Sequence, residues 1–83
     1  MDDAIRQILD DHGRLPIEAN SLTADADLYL AGLTSHASVN VMLALEDAFD
    51  VEFPDEMLRR STFESIDSIR AALSQLGVSA TAG

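Results

Sequence analysis

Few side chains in this 83-residue sequence could do chemistry. There is no cysteine, hence no disulfide and no thiolate metal ligand. The two histidines, His12 and His36, are not spaced as a helical ligand pair, which argues against a transition-metal site. Asp25-Ala26-Asp27 begins like a calcium loop, but the Asp/Asn, Gly and Glu positions that complete one do not follow. No nucleophile–base pair, phosphate loop or carboxylate dyad is visible. Among the chain's serines and threonines, one is singled out by its place. Ser35 falls where a long connection meets the start of a helix. A helix N-terminus has unpaired N–H groups and a positive dipole end, so it favours a phosphate, and a hydroxyl there is exposed enough to be modified. The competing role is that of an N-cap, the commonest reason for a serine at such a spot. Taken alone, the physics favours the cap.

The elements that must position Ser35 read as helices throughout. Residues 2–12 form an amphipathic helix with Ile5, Ile8, Leu9 and His12 on one side, stopped by Gly13. A connection from Arg14 to Thr34 follows, with Leu15, Ile17, Leu22, Leu28, Tyr29 and Leu33 spaced to tack it onto a core. Loops this long in a compact domain are uncommon and often functional. The second helix spans about His36 to Asp50, with Ser35 or Thr34 as cap. Pro54 breaks the pattern, and Asp55 to Arg60 fits a short helical turn. Ser61-Thr62-Phe63-Glu64 reads as a capping box for a last helix that carries Phe63, Ile66, Ile69, Leu73 and Leu76 inward and ends at Gly77. The expected fold is all-α: a four-helix bundle of three main helices and one short one, with a long first loop. It forms one domain over 1–77, followed by a frayed tail over 78–83.

The second helix has two apolar faces. On a wheel, Val41, Met42, Leu45, Ala48 and Phe49 fall on the core side, with Ser38 among them. Val39 and Leu43 fall nearly opposite, beside Asn40, Glu46, Asp47 and Asp50. Two aliphatic side chains fenced by an amide and carboxylates suit a partner whose apolar spot is ringed by Arg or Lys. Isolated exposed aliphatics are also ordinary, and the wheel alone gives docking and plain surface equal weight.

Fifteen acidic residues face five arginines and no lysine, a formal net charge of -10. Such a chain repels phosphate backbones, so nucleic acid and anionic membranes are poor partners, and the charge favours a monomer. Arg59 and Arg60 read as solvated or carboxylate-paired residues after the turn. No apolar run is long enough to span a bilayer, and the acidic start lacks a signal peptide's basic region. The sequence therefore reads as soluble and cytoplasmic.

The stretch from Asp27 to Glu56 resembles the central segment of acyl carrier proteins. That family has an upstream Leu and Gly, then Asp-Ser-Leu, then an acidic apolar helix ending in Leu-Glu-x-x-Phe before an Ile-Pro-Asp-type turn. Here Leu45-Glu46-Asp47-Ala48-Phe49 and Phe53-Pro54-Asp55-Glu56 match without gaps, and counting back from Phe49 places the family's modified serine on Ser35. The resemblance implies that a phosphopantetheinyl transferase attaches 4'-phosphopantetheine to Ser35, that the arm carries cargo as a thioester, and that the chain is no enzyme. It also implies that Val39, Asn40, Leu43, Glu46 and Asp47 belong to the docking helix.

Two positions depart from the family. Thr34 stands for the Asp before the serine and His36 for the Leu after it; both flank the cofactor site, and His36 hydrogen-bonds the phosphate, shapes the docking surface or, as a histidine at such a spot more often does, simply faces solvent. Their change puts standard fatty acid synthase partners in doubt. The Gly32-Leu33-Thr34-Ser35 form, with Ala37-Ser38-Val39 and the Phe49 to Asp55 segment downstream, is more similar to a bacterial subgroup of aminoacyl carrier proteins. Those are loaded by seryl-tRNA-synthetase-like amino acid:carrier protein ligases and serve downstream acceptor enzymes. A generic acyl carrier and an unmodified acidic interaction module are the alternatives.

Overall fold

A computed structural model describes residues 2–78. Three α-helices carry the fold: α1 (Asp2–His12), α2 (Ser35–Phe49) and α3 (Ile66–Gln75). Short 3-10 turns occupy Ala19–Ser21, Asp55–Met57 and Arg60–Thr62, and there is no strand among the described residues. The all-α bundle with a long first loop is thus the fold observed, its short fourth element being a pair of 3-10 turns. The expected frayed tail lies, apart from Val78, outside the described residues. No helix among the described residues is long and apolar enough to cross a membrane.

Helix α1 is the hub, packing against both α2 and α3. Its Ile5 and Leu9 are fully buried with Leu28, Val41, Leu45, Ile66, Ile69 and Leu73. Each such side chain stabilises the fold by about 1.5–3 kcal/mol of transfer free energy. Phe53 and Phe63 close one side edge to face, their ring centroids 5.5 Å apart. Arg70 on α3 reaches Asp2 on α1 at 2.8 Å and also pairs with Asp67. The hydrogen bond to Asp2 is the first cause that raises its pKa above the ordinary arginine value. All three side chains are more than a third exposed, so the bridge orients the helices more than it stabilises them.

Three inward assignments fail. His12 is exposed, because the core ends one residue on: buried Gly13 donates its N–H to Leu9 O at 2.8 Å, and Arg14 (φ 53) turns the chain away. Ile17 is 47% exposed. The loop is instead fastened through Ala19, which is fully buried. Its N–H donates to Asp10 Oδ1 at 2.7 Å, and Arg6 donates to Ala19 O at 2.6 Å and Leu22 O at 2.7 Å. Ala48 is exposed as well: it borders the open groove between α1 and α2, while Ala37, Val41 and Leu45 mark the buried side of α2.

The last helix starts later than Ser61-Thr62-Phe63-Glu64 suggested. Its cap is Ser65, whose hydroxyl accepts Ser68 N–H at 3.0 Å while Ser68 Oγ accepts Ser65 N–H at 3.0 Å. The long loop explains the shift. Leu28 N–H donates to Glu64 O at 2.7 Å, and Asp67 N–H donates to Ala24 O at 2.9 Å. Glu64 is thereby committed to the loop, and helix begins only beyond it. At the far end of that loop Gly32 has φ +122, and a Cβ there would lie 2.7 Å from Pro16 Cδ. Only glycine lets the chain lie this close on its way to Ser35.

Candidate functional site around Ser35

Helix α2 begins with a cap that is not Ser35. Thr34 is extended (φ -92, ψ 162), and its Oγ1 accepts Ala37 N–H at 3.0 Å. Ser35 is the first helical residue and is exposed. Its carbonyl accepts Ser38 Oγ–H at 2.7 Å, but among the described residues its own hydroxyl has no partner. The cap role that the sequence left open between Thr34 and Ser35 thus falls to Thr34, apart from the Ser35 hydroxyl. The fit to a phosphate-linked arm rests on this division: the hydroxyl is free and solvent-facing, beside amides that precede the helix's internal bonding. His36 is exposed on the same turn.

Ser35 also lines a groove of about 320 Å3. Ser38, Val39 and Met42 of α2 line one side; Tyr29, Leu58, Arg59, Arg60 and Phe63 complete the lining. No periodicity announces this groove, because much of its lining comes from irregular chain. Nor are the two arginines paired with carboxylates: neither forms an ion pair among the described residues, and the Arg60 guanidinium lies over the Tyr29 ring, 4.1 Å from its centroid.

Val39 and Leu43 are 51% and 53% exposed, on the outer side of α2 where the wheel put them. They do not face one common hollow. Val39 lines the Ser35 groove, whereas Asn40, Leu43 and Asp47 line a second one against α1, with Asp11, His12 and Arg14. Glu46 is half-buried and already engaged: its Oε2 accepts Phe53 N–H at 2.8 Å, and its carbonyl accepts Val51 N–H at 3.1 Å. It ties the end of α2, where Asp50 takes the left-handed conformation (φ 53), to the turn that follows. Asp47 is exposed.

Comparison with known proteins agrees with this geometry. The sequence model of the phosphopantetheine attachment site matches residues 3–73. The chain is 51% identical over 69 residues, 83% of each protein, to an aminoacyl carrier protein of Agrobacterium fabrum. It superposes with a TM-score of 0.87 and 47% identity, covering 89% of this chain and 99% of the other, on a chain in the crystal structure of an engineered Bradyrhizobium japonicum glycine:[carrier protein] ligase complexed with carrier protein from Agrobacterium tumefaciens and AMP. A chain in the structure of the Bradyrhizobium japonicum ligase complexed with glycylated carrier protein matches with a TM-score of 0.73 and 27% identity, over 86% of this chain and 95% of that one. A match over most of the chain, joined to a relative this similar along most of both lengths, means that this chain belongs to the phosphopantetheine-attachment family of carrier proteins, which are carriers and not enzymes.

Proposed function

We propose that this protein carries an aminoacyl group on a phosphopantetheine arm joined to Ser35, and presents it to other enzymes. The observation that carries the assignment of the site is the free, exposed Ser35 hydroxyl at the start of α2, inside the span that the family match covers. In the attachment step Ser35 Oγ forms a bond to the phosphorus next to the pantetheine of coenzyme A. The pyrophosphate bond to the nucleotide breaks, 3',5'-ADP leaves, and the serine proton passes to a base of the transferase. Thr34 keeps the helix capped so that Ser35 Oγ stays available, and His36 borders the site. The arm's terminal thiol supplies the thioester link to the cargo.

Loading requires a ligase that recognises the folded carrier. Leu43 and Asp47, with Asn40, form an apolar and acidic strip on α2, and Val39 extends it toward Ser35. Glu46 contributes one carboxylate oxygen, the other being engaged by Phe53. A ligase face with an apolar spot and basic side chains complements this strip. The aminoacyl cargo is favoured over a fatty acyl cargo by the relative named an aminoacyl carrier protein. The test offers the arm-bearing protein to a bacterial amino acid:carrier protein ligase with ATP and single amino acids. A mass increase of one residue, reversed by hydroxylamine, is expected. Acylation by an acyl–carrier synthetase with no aminoacylation by any such ligase would overturn the cargo assignment.

A further inference from the structure

We infer that Arg59 and Arg60 hold the phosphodiester of a Ser35-linked arm and lay the arm's proximal half in the groove beside α2, leaving the charged aminoacyl end outside. The inference rests on Ser35 being the attachment site. It begins from the distribution of cations. The chain has only five arginines and no lysine against fifteen acidic residues. Arg6 is hydrogen-bonded to the carbonyls of Ala19 and Leu22, Arg70 is paired with Asp2 and Asp67, and Arg14 lines the groove against α1. The remaining two are adjacent, and both line the groove that holds Ser35. Carboxylates are abundant in the segment just before them (Glu52, Asp55, Glu56), yet among the described residues neither arginine forms an ion pair. Two unpaired guanidinium groups beside the one serine set up for a phosphate complement a phosphodiester in charge and in donor geometry.

Arg60 is already partly ordered. Stacking on Tyr29 at 4.1 Å restricts its long side chain, so less freedom is lost when an anion arrives. Apart from the arginines, Tyr29 and the two serines, the groove is lined by the apolar side chains of Val39, Met42, Leu58 and Phe63. Its volume of about 320 Å3 falls in the range of small-ligand clefts, roughly 300–1,000 Å3. The first part of a pantetheine arm is a phosphate followed by a branched aliphatic segment, and the lining supplies two guanidinium groups for the one and apolar side chains for the other. The cargo end differs. An α-amino group has an ordinary pKa of about 7.7–8.0 and is largely protonated at neutral pH. The groove's apolar walls give that ammonium no partner, and the guanidinium charge left over from a singly charged phosphodiester adds to the cost of entry, so the aminoacyl terminus stays in solvent, available to an acceptor.

The test compares wild type, Arg59→Ala, Arg60→Ala and the double variant, each treated with coenzyme A and a promiscuous phosphopantetheinyl transferase. Intact mass first establishes that each has gained the arm; a wild type that gains none fails the reading of Ser35 and this inference with it. Amide and methyl NMR spectra are then recorded with and without the arm. The unmodified spectra report that each variant is folded. In wild type the arm is expected to shift the resonances of Leu58, Arg59, Arg60 and Phe63 and the Val39 and Met42 methyls. Those shifts are expected to be lost in the double variant although its mass shows the arm, and to be retained in Arg59→Lys/Arg60→Lys. The same loss is expected in unmutated protein at about 1 M salt, where the screening length is about 3 Å. Arm-dependent shifts confined to 34–37, or groove shifts that persist in the double variant and at high salt, would overturn the inference.

Discussion

Thr34 Oγ1 accepts the Ala37 amide hydrogen at 3.0 Å, and it is this bond, one residue ahead of Ser35, that frees the serine. If Ser35 were the cap, its hydroxyl would be turned into the first turn and modification would uncap the helix. With the arm on Ser35 as proposed, the arrangement separates stability from modification, and the separation can be measured. Thr34→Ala is expected to cost about 1 kcal/mol, which in a domain of this size lowers Tm by about 4–8 °C. Ser35→Ala is expected to change stability by no more than about 0.5 kcal/mol. Equal losses in the two variants, read by thermal or urea unfolding, would show that the cap is misassigned.

Glu46 gives a second separation. Its carboxylate holds Phe53 N–H, so removing it leaves a part-buried donor without its acceptor. Glu46→Ala should cost about 1 kcal/mol, Glu46→Gln should keep most of that through its amide oxygen, and Asp47→Ala should cost nothing and slightly raise stability, because Asp47 is exposed and its charge only adds to the local carboxylate repulsion. Urea unfolding of the three variants decides it. A fully stable Glu46→Ala would mean that the contact contributes nothing to the fold.

The outer face of α2 should matter to partners and not to folding. Val39 and Leu43 already meet water over about half their surface, at 51% and 53% exposure. Val39→Asp and Leu43→Asp are each expected to lower kcat/KM for aminoacyl loading by about tenfold, equivalent to about 1.4 kcal/mol of lost binding. Circular dichroism should show unchanged helix. Loading that is indifferent to both variants would move the docking surface elsewhere.

Salt should stabilise the unmodified protein. Glu46, Asp47, Asp50, Glu52, Asp55 and Glu56 follow one another through the end of α2 and the next turn, in a chain of net charge -10. Screening weakens their repulsion once the Debye length falls to about 8 Å near physiological ionic strength. Tm is expected to rise from low to moderate salt; a flat or falling Tm would contradict a repulsive cluster.

The sequence was most legible where one physical rule acts alone. Helical periodicity placed α1 and α2 to within a residue, and the wheel put Val39 and Leu43 in solvent. It was less legible where tertiary contacts compete with local signals. Ser61-Thr62-Phe63-Glu64 is a good capping box by spacing, but Leu28 claims the Glu64 carbonyl and the helix starts at Ile66 under Ser65. Ile17 and Ala19 both sit in the long loop, and only the grip of Arg6 and Asp10 on Ala19 decides which goes inward. At the site, Thr34 and Ser35 could each have capped α2 by type alone. The groove was invisible for a further reason: its walls combine α2 with Tyr29 and the irregular stretch around Leu58, residues far apart in sequence whose meeting no periodicity announces. The scarcity of cations was a sign available earlier, since in a chain with five arginines two in a row invite the question of what they face.

The central claim is that Ser35 is the residue that takes the arm. It is tested most directly by intact mass before and after incubation with coenzyme A and a promiscuous phosphopantetheinyl transferase, with Ser35→Ala treated alongside. Wild type should gain the mass of one phosphopantetheine group and Ser35→Ala should gain none while remaining folded. A gain in both proteins, or in neither while a control carrier is modified and the source cell's own extract also leaves the wild type unchanged, would contradict it.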